Sequence, residues 1–426
     1  MRGSAAGGAA ALVVGSVWIL ASAAEPQGSG GDEALPSLQA WVDAASEGEV
    51  LRPPPGRYAG PVVIRRPLVL DGRGEVHVDG GGRGTVIRLE TDGAEVRRLH
   101  IHGSGESHDG LDAGVQVRGN GNRIVDNVIE DSLFGVDLKQ ADGNRIEGNR
   151  IGSKALPLGV RGDGIRLWYS RDNQVLDNRI EDVRDVVVWY SGGNRIAGNT
   201  VTGGRYGLHF MYSEANQVEG NRYDANMVGV FLMYSDGVVL RRNHIRGALG
   251  ATGMGIGFKE SSNVGIEENS IVYCAKGIYL DTSPYEPDST NRILGNRIAY
   301  NGVGIVFHND WHGNVFQDNQ FDGNFTQVSV RGGGGAARNR WRGNRWDDYR
   351  GFDRDGDGRG DTPYELYSYA DRIWQERPEA AFFRGSPLFE AIDFLDRLAP
   401  FSEPTLVLRD ESPRFEPPAE GAPWPM

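Results

Sequence analysis

Asn122-Arg-Ile-Val-Asp-Asn-Val-Ile129 returns 22 residues later as Asn144-Arg-Ile-Glu-Gly-Asn-Arg-Ile151. The same phrase recurs at Asn173–Ile180, Asn194–Val201, Asn216–Tyr223 and Asn291–Ile298, and weaker copies end at Asn243, Asn269, Asn319 and Asn344. Counted at the second asparagine, the steps run 22, 29, 21, 22, 22, 26, 27, 23 and 25 residues. Self-similarity at this period marks a solenoid. Within each copy apolar and polar residues alternate, which is the strand pattern. Gly, Asn and Asp bound the strands and tolerate left-handed bends. The leucine phrase of leucine-rich repeats is absent, and Gly and Asn inside the unit oppose helical repeats. The expected fold is therefore all-β: a single-stranded right-handed parallel β-helix with coils of about 22–29 residues. Ile, Val and Leu fill its interior. Asn127, Asn149, Asn178, Asn199 and Asn221 form a ladder of amides at one bend, a structural role.

Working outward, the longer steps place insertions at Ser153–Asp163, Arg246–Gly253 and Asp281–Ser289, expected as loops on one side of the scaffold. An open coil exposes sheet edges and needs caps. Pro36–Glu47, with Leu38, Trp41, Val42 and Ala45 at helical spacing, reads as an amphipathic N-terminal cap helix. Ser386–Leu398 reads as a short C-terminal helix, and Glu403–Met426, rich in Pro and charge, as a tail. Arg2, the apolar run Ala9–Leu20 and the small residues Ala21–Ala24 read as an export signal. The expected division is 1–24 signal peptide, 36–346 capped β-helix, 347–385 Asp/Gly-rich loops and 386–426 helix and tail.

Net charge is −13, which argues against nucleic acid as a partner. Cys274 is the lone cysteine, so no internal disulfide staples the chain. A small buried residue is expected there.

A second phrase, Gly207-Leu-His-Phe and its relatives at Gly164, Gly229, Gly277 and Gly304, supplies the chemistry. If Leu208 and Phe210 point inward, His209 and Met211 point outward. The next coil then sets Met233 beside Met211, and earlier coils set Trp168 and Trp189 in the same column. Lys259 and His308 continue it. Thioether with imidazole selects a soft cation, above all Cu(I). His209, Met211 and Met233 are the candidate copper ligands, and the copper would be held transiently. The same stripe, with Trp168 and Trp189, also reads as a hydrophobic surface that docks a protein partner or lies beneath a loop.

His100 and His102 share a strand face and His108 follows in a loop. They offer a Cu(II) or Zn(II) set, or plain surface polarity. His77 and His244 stand isolated. Asp353, Asp355, Asp357 and Asp361 alternate with intervening residues as in calcium loops, but Tyr364 stands where a twelfth-position glutamate belongs. A Ca²⁺ site and a tight acidic turn both fit. Catalytic signatures are missing: no phosphate loop, no Ser/His/Asp phrase, and no pairing of Asp137, Asp163 and Asp185 as hydrolytic carboxylates.

Gly207-Leu-His-Phe-Met-Tyr-Ser213 and Gly229-Val-Phe-Leu-Met-Tyr-Ser235 resemble the hallmark of the NosD family, periplasmic maturation factors for nitrous oxide reductase. Trp346–Gly358, Ser386-Pro-Leu-Phe389 and Asp393–Ser402 are similar to that family's later segments. The resemblance covers nearly the whole mature chain. It implies a non-enzymatic periplasmic accessory protein in an ABC-type complex with an ATPase and a membrane permease, held at the cytoplasmic membrane through that permease. A copper-chaperone lipoprotein and nitrous oxide reductase are the further implied partners, and assembly of copper centres the implied task. Phe389, Ile392 and Leu395 become the candidate permease contact, against a simple end cap. The competing reading is an exported carbohydrate-active β-helix enzyme, a lyase, hydrolase or epimerase. A passive spacer is the third.

Overall fold

The computed structural model describes residues 34–332, 334–368 and 405–415, together with Ala391 and Leu395. The expected export signal and most of Ser386–Leu398, including Phe389 and Ile392, lie outside the described residues, as does the end of the tail. From Pro36 onward the chain forms one compact unit.

Each coil contributes three short strands. In one coil these are Arg195–Ala197, Thr200–Thr202 and Tyr206–Met211, and all pair in parallel with their counterparts above and below. We call the three resulting walls the first, second and third faces. The third face is a twelve-stranded ladder from Val62–Ile64 to Thr326–Val330. Inward side chains such as Ile196, Val201, Leu208 and Phe210 are buried and join one continuous core.

One local rule turns most corners of the coil. A left-handed residue is followed by an inward polar residue that bonds to the next coil. Between first and second faces the left-handed residue is Asp126, Gly148, Asp177, Gly198 or Gly220, with φ between 52° and 68°. The asparagine that follows is buried. Asn178 donates its backbone N–H and its amide to Asn199 Oδ1, both at 2.9 Å, and Asn199 does the same to Asn221. The predicted ladder is present, and a parallel one runs through Asn144, Asn173, Asn194 and Asn216. Buried amides cost several kcal/mol unless paired, so the ladder makes the stacking register specific.

The glycine that opens the third-face phrase also has a packing reason. A Cβ on Gly229 would lie 2.4 Å from an Ile245 methyl and 2.5 Å from Gly255 O. Only hydrogen fits between rungs there.

The caps differ in part from expectation. The N-terminal helix spans Leu38–Ala44 and buries Leu38 and Val42, with Ala45 just beyond it. Trp41, read as part of the apolar stripe, is 43% exposed instead, because the stripe is narrower than the spacing suggested. At the other end, Thr405–Asp410, read as tail, is a strand pairing antiparallel with Tyr364–Ser368, itself inside the segment read as loops. Val407 and Leu408 are buried in the core. Asp410 is fully buried and accepts from the N–H groups of Gly343 and Asn344, the Asn344 amide and the Trp346 indole. It ends the asparagine ladder with an acceptor. Pro and charge around this strand masked its apolar alternation.

The insertions also differ from expectation. Ser153–Asp163 and Arg246–Gly253 join the second face to the third, whereas Asp281–Ser289 joins the third to the first. They lie on two corners, one at each edge of the third face.

Candidate functional site

The third face carries the outward column that the sequence singles out. Trp168, Trp189, Met211, Met233, Lys259 and Asp281 are consecutive register partners. The first five are partly exposed, and Leu208 and Phe210 point into the core. Met211 and Met233 are thus lateral neighbours, one strand spacing of about 4.8 Å apart along the backbone. His308 follows Phe307 in the register of Asp281 and Lys259, and its Nδ1 lies 2.7 Å from the Tyr279 hydroxyl. Trp168 packs edge-on to Trp189 at 4.5 Å, with the Arg166 guanidinium 4.7 Å from the Trp168 ring centroid.

His209 sits two residues before Met211 on the same outward side. Its ring stacks on Tyr206 at 4.6 Å and meets Phe231 edge-on at 6.0 Å. Its Nε2 is buried without a hydrogen-bond partner. Burial pushes its pKa down to about 4; Asp185 works against the shift and Arg205 with it. The imidazole is therefore neutral at ordinary pH. Neutral imidazole is the form that binds metal or accepts a proton.

The Met-Tyr-Ser phrase now divides into parts. Tyr169, Tyr190, Tyr212 and Tyr234 are all left-handed, with φ of 48° to 51°. Their rings stack in a row at 4.8, 5.1 and 4.8 Å. Each such backbone costs roughly 1–2 kcal/mol in an L-residue, and each ring pair returns about 0.5–1.5 kcal/mol. Ser170, Ser191, Ser213, Ser235 and Ser261 turn inward and form a hydroxyl ladder. Tyr and Ser thus build the corner, and the residue before them is free to vary. Sequence reasoning quoted this phrase and missed the tyrosine row, whose signal was the same three-residue phrase at Trp168 and Trp189.

Sequence reasoning also missed two methionines. Met227 lies on the coil of Met233 and Met254 on the next coil, at the opposite edge of the third face. Apart from Met1 and Met426, every methionine of the chain falls between residues 211 and 254. A methionine census alone would have shown that.

Asp185 pairs with Arg184 and Arg205 and accepts the Tyr206 N–H at 3.0 Å. Asp163 pairs with Arg184 at 2.8 Å, and burial pushes its pKa up to about 6 despite that partner. Asp137 is fully buried between Arg118 and Arg166, 2.9 Å from each.

The remaining candidates separate. Asp353, Asp355 and Asp357 bring carboxylate oxygens within 4.8 Å of one another, and among the described residues no other group of three or more His, Cys, Asp or Glu does so. Asp361 is not in that group; it accepts the Arg354 N–H at 2.7 Å. Both Asp353 oxygens accept amides, from Gly356 and Gly358. His77, taken as isolated, stacks on His100 at 4.4 Å. His102 sits 3.9 Å from Asp79, while His108 bonds to Val160 O, so the early histidines do not converge on one point. Leu395 is helical and 52% exposed. Cys274 is buried, and burial raises its thiol to about 11.

The family model described as "Periplasmic copper-binding protein (NosD)" matches residues 148–351, the coils that carry the methionines and stacked tyrosines. A Pseudomonas aeruginosa protein named "Probable ABC transporter binding protein NosD" is 32% identical over 395 residues, covering 85% of this chain and 87% of that protein. The chain belongs to the NosD family. A Stutzerimonas stutzeri protein with the same printed name is 33% identical over 115 residues, 26% of either chain. Among solved structures, the A-module of the Azotobacter vinelandii mannuronan C-5 epimerase AlgE6 superposes with a TM-score of 0.53 at 18% identity, over 68% of this chain and 90% of that module. That likeness concerns the solenoid fold alone. The NosD assignment rests on sequence instead.

Proposed function

We propose that this NosD-family chain is a periplasmic accessory protein without catalytic activity of its own. It carries copper transiently, as Cu(I), on the outer wall of its third face. It works with an ABC-type ATPase and a permease, takes copper from a copper-chaperone lipoprotein and assists copper-centre assembly in nitrous oxide reductase. The permease holds it at the cytoplasmic membrane. The observation that carries this reading is the pairing of Met211 with Met233 on adjacent rungs, with neutral His209 on the same side. Two thioethers and an imidazole suit Cu(I) and disfavour harder ions. Two partly exposed thioethers beside an imidazole whose Nε2 is buried bind modestly and release readily, as transfer requires. Trp168 and Trp189 extend the wall as a contact for the donor or acceptor protein, and Phe389, Ile392 and Leu395 serve the permease. Asp353, Asp355 and Asp357 offer Ca²⁺ a structural site, with Asp361 at its edge.

The test is Cu(I) titration of the exported chain under reducing conditions beside Met211→Ala/Met233→Ala. The pair should weaken Cu(I) at least about tenfold, or ~1.4 kcal/mol. Equal affinity would remove the site.

One observation favours the second reading, an exported carbohydrate-active enzyme. Tyr206, His209, Asp185 and Arg205 cluster on one wall, near an Asp163 held up to about 6. Against it, both carboxylates are locked in arginine pairs. Turnover of alginate or pectin by the purified chain would promote it.

A further inference from the structure

A groove of about 490 Å³ runs along the other edge of the third face, away from the Met211–Met233 row. Its two ends differ in chemistry. At one end are Met227, Met254 and Phe231, beside an Arg205 already paired with Asp185; Met227 is 43% exposed. At the other are Lys276 and Arg331. Among the described residues no carboxylate lies within ion-pair distance of either cation. Lys276 donates only to the carbonyls of Ala251 and Gly253, at 2.9 and 3.5 Å. Arg331 lies over the Tyr279 ring at 5.7 Å. Burial and the neighbouring Arg331 charge both work to lower the Lys276 pKa. Two mutually repelling cations left unpaired in a chain of net charge −13 are a standing demand for an anion.

The shape and walls narrow the ligand. Arg205 and Lys276 flank strands three rungs apart, so the groove spans roughly 14 Å at about 4.8 Å per rung. An extended peptide covers that in about four residues. A sugar would need open aromatic faces, and those faces are taken. Tyr206 lies between Arg205 at 5.0 Å and His209 at 4.6 Å, and Tyr279 is under Arg331. What remains open is cationic charge at one end and thioether with phenyl at the other. Methionine adapts to varied apolar side chains. The Arg246–Gly253 insertion supplies the carbonyls that hold Lys276 as one wall.

We propose that this groove docks an extended acidic segment of a partner polypeptide, its carboxylates on Lys276 and Arg331 and its apolar side chain between Met227 and Met254. The groove borders the copper reading at Tyr206 and Phe231, which pack on His209, but its cations do not depend on that reading.

Fluorescence polarisation of a fluorescein-labelled peptide of about twelve residues, with glutamates four apart and leucines between, tests this at low salt. The peptide should bind the full exported chain, weaken as salt rises, and lose binding when its glutamates become glutamines. Lys276→Gln and Arg331→Gln should each weaken it by about fivefold or more, while Met211→Ala/Met233→Ala leaves it unchanged. Circular dichroism checks each fold, and the two single variants report independently. Binding that is undetectable at low salt would overturn the proposal. So would equal binding by parent and both cation variants, or an oligouronate that binds more tightly than the peptide.

Discussion

The second and third faces are built by the same coils yet present opposite chemistry. On the second face one outward column reads Arg150, Arg179, Thr200, Arg222, His244, Ser270, Arg297, in which Arg150 and Arg179 pair with Glu181 and Arg222 with Asp224. On the third face the outward column reads Trp168, Trp189, Met211, Met233 before returning to charge at Lys259 and Asp281. Inside, both walls are the same Ile, Val, Leu and Phe. Solvation explains the first wall. Nothing in solvation explains four large soft side chains in a row on the second of the pair. The contrast separates scaffold from the proposed site: the inward positions and corners fix the coil, and the outward slots of one wall are where the proposal places copper.

The contrast breaks most visibly at a corner. Asn199→Ala should cost roughly 3–5 kcal/mol, because it orphans donors of Asn178 and the carbonyls of Val175 and Ala197 at once. Chemical denaturation reads that loss. By comparison Met211→Ala or Met233→Ala, on the free slot, should cost under about 1 kcal/mol in the same assay. A large loss there would mean that the row is scaffold after all.

A pH series sharpens the comparison on the third face itself. His209 is depressed from 6.5 to about 4, so the unfolded chain binds its proton first, and this group's stabilisation is lost as pH falls from 6.5 toward 4. Asp163 is raised from 3.8 to about 6, so the folded chain keeps its proton longer, and that contribution is lost as pH rises from 3.8 through 6. The two slopes oppose each other across one window. His209→Phe should therefore leave stability falling from pH 4 to 6 more steeply than in the parent. An unchanged slope would remove the buried neutral imidazole.

The smallest effect belongs to the acidic loop beyond the coils. Millimolar Ca²⁺ should raise the melting temperature by about 1–3 °C in the parent and not in Asp355→Asn. Identical shifts in both would leave Asp353, Asp355 and Asp357 as a plain acidic turn.

The coil was legible because its period is written in asparagine, and a buried asparagine has few substitutes. The outward parity of His209, Met211 and Met233 followed from alternation alone. Other features were not legible for physical reasons. Tyr190 and Tyr212 sit at left-handed corners, where propensity forbids tyrosine, and only the neighbouring rings make it favourable. The stacking of His77 on His100 depends on register between coils that share no phrase. The C-terminal strand was hidden because its partner, Tyr364–Ser368, is antiparallel and outside the repeat. The groove of Lys276 and Arg331 joins residues 55 positions apart, beyond the reach of local pattern.

Asp410 has a consequence for biogenesis. A stack of parallel rungs grows from whichever end appears first, and its last rung is always a template for another chain. Here the plug for that template sits 66 residues beyond Asn344, the amide it covers. A chain made only as far as residue 409 would thus hold a finished stack with a sticky lip. Only when residue 410 emerges can the lip be sealed, so the seal doubles as a check that the whole repeat array has arrived.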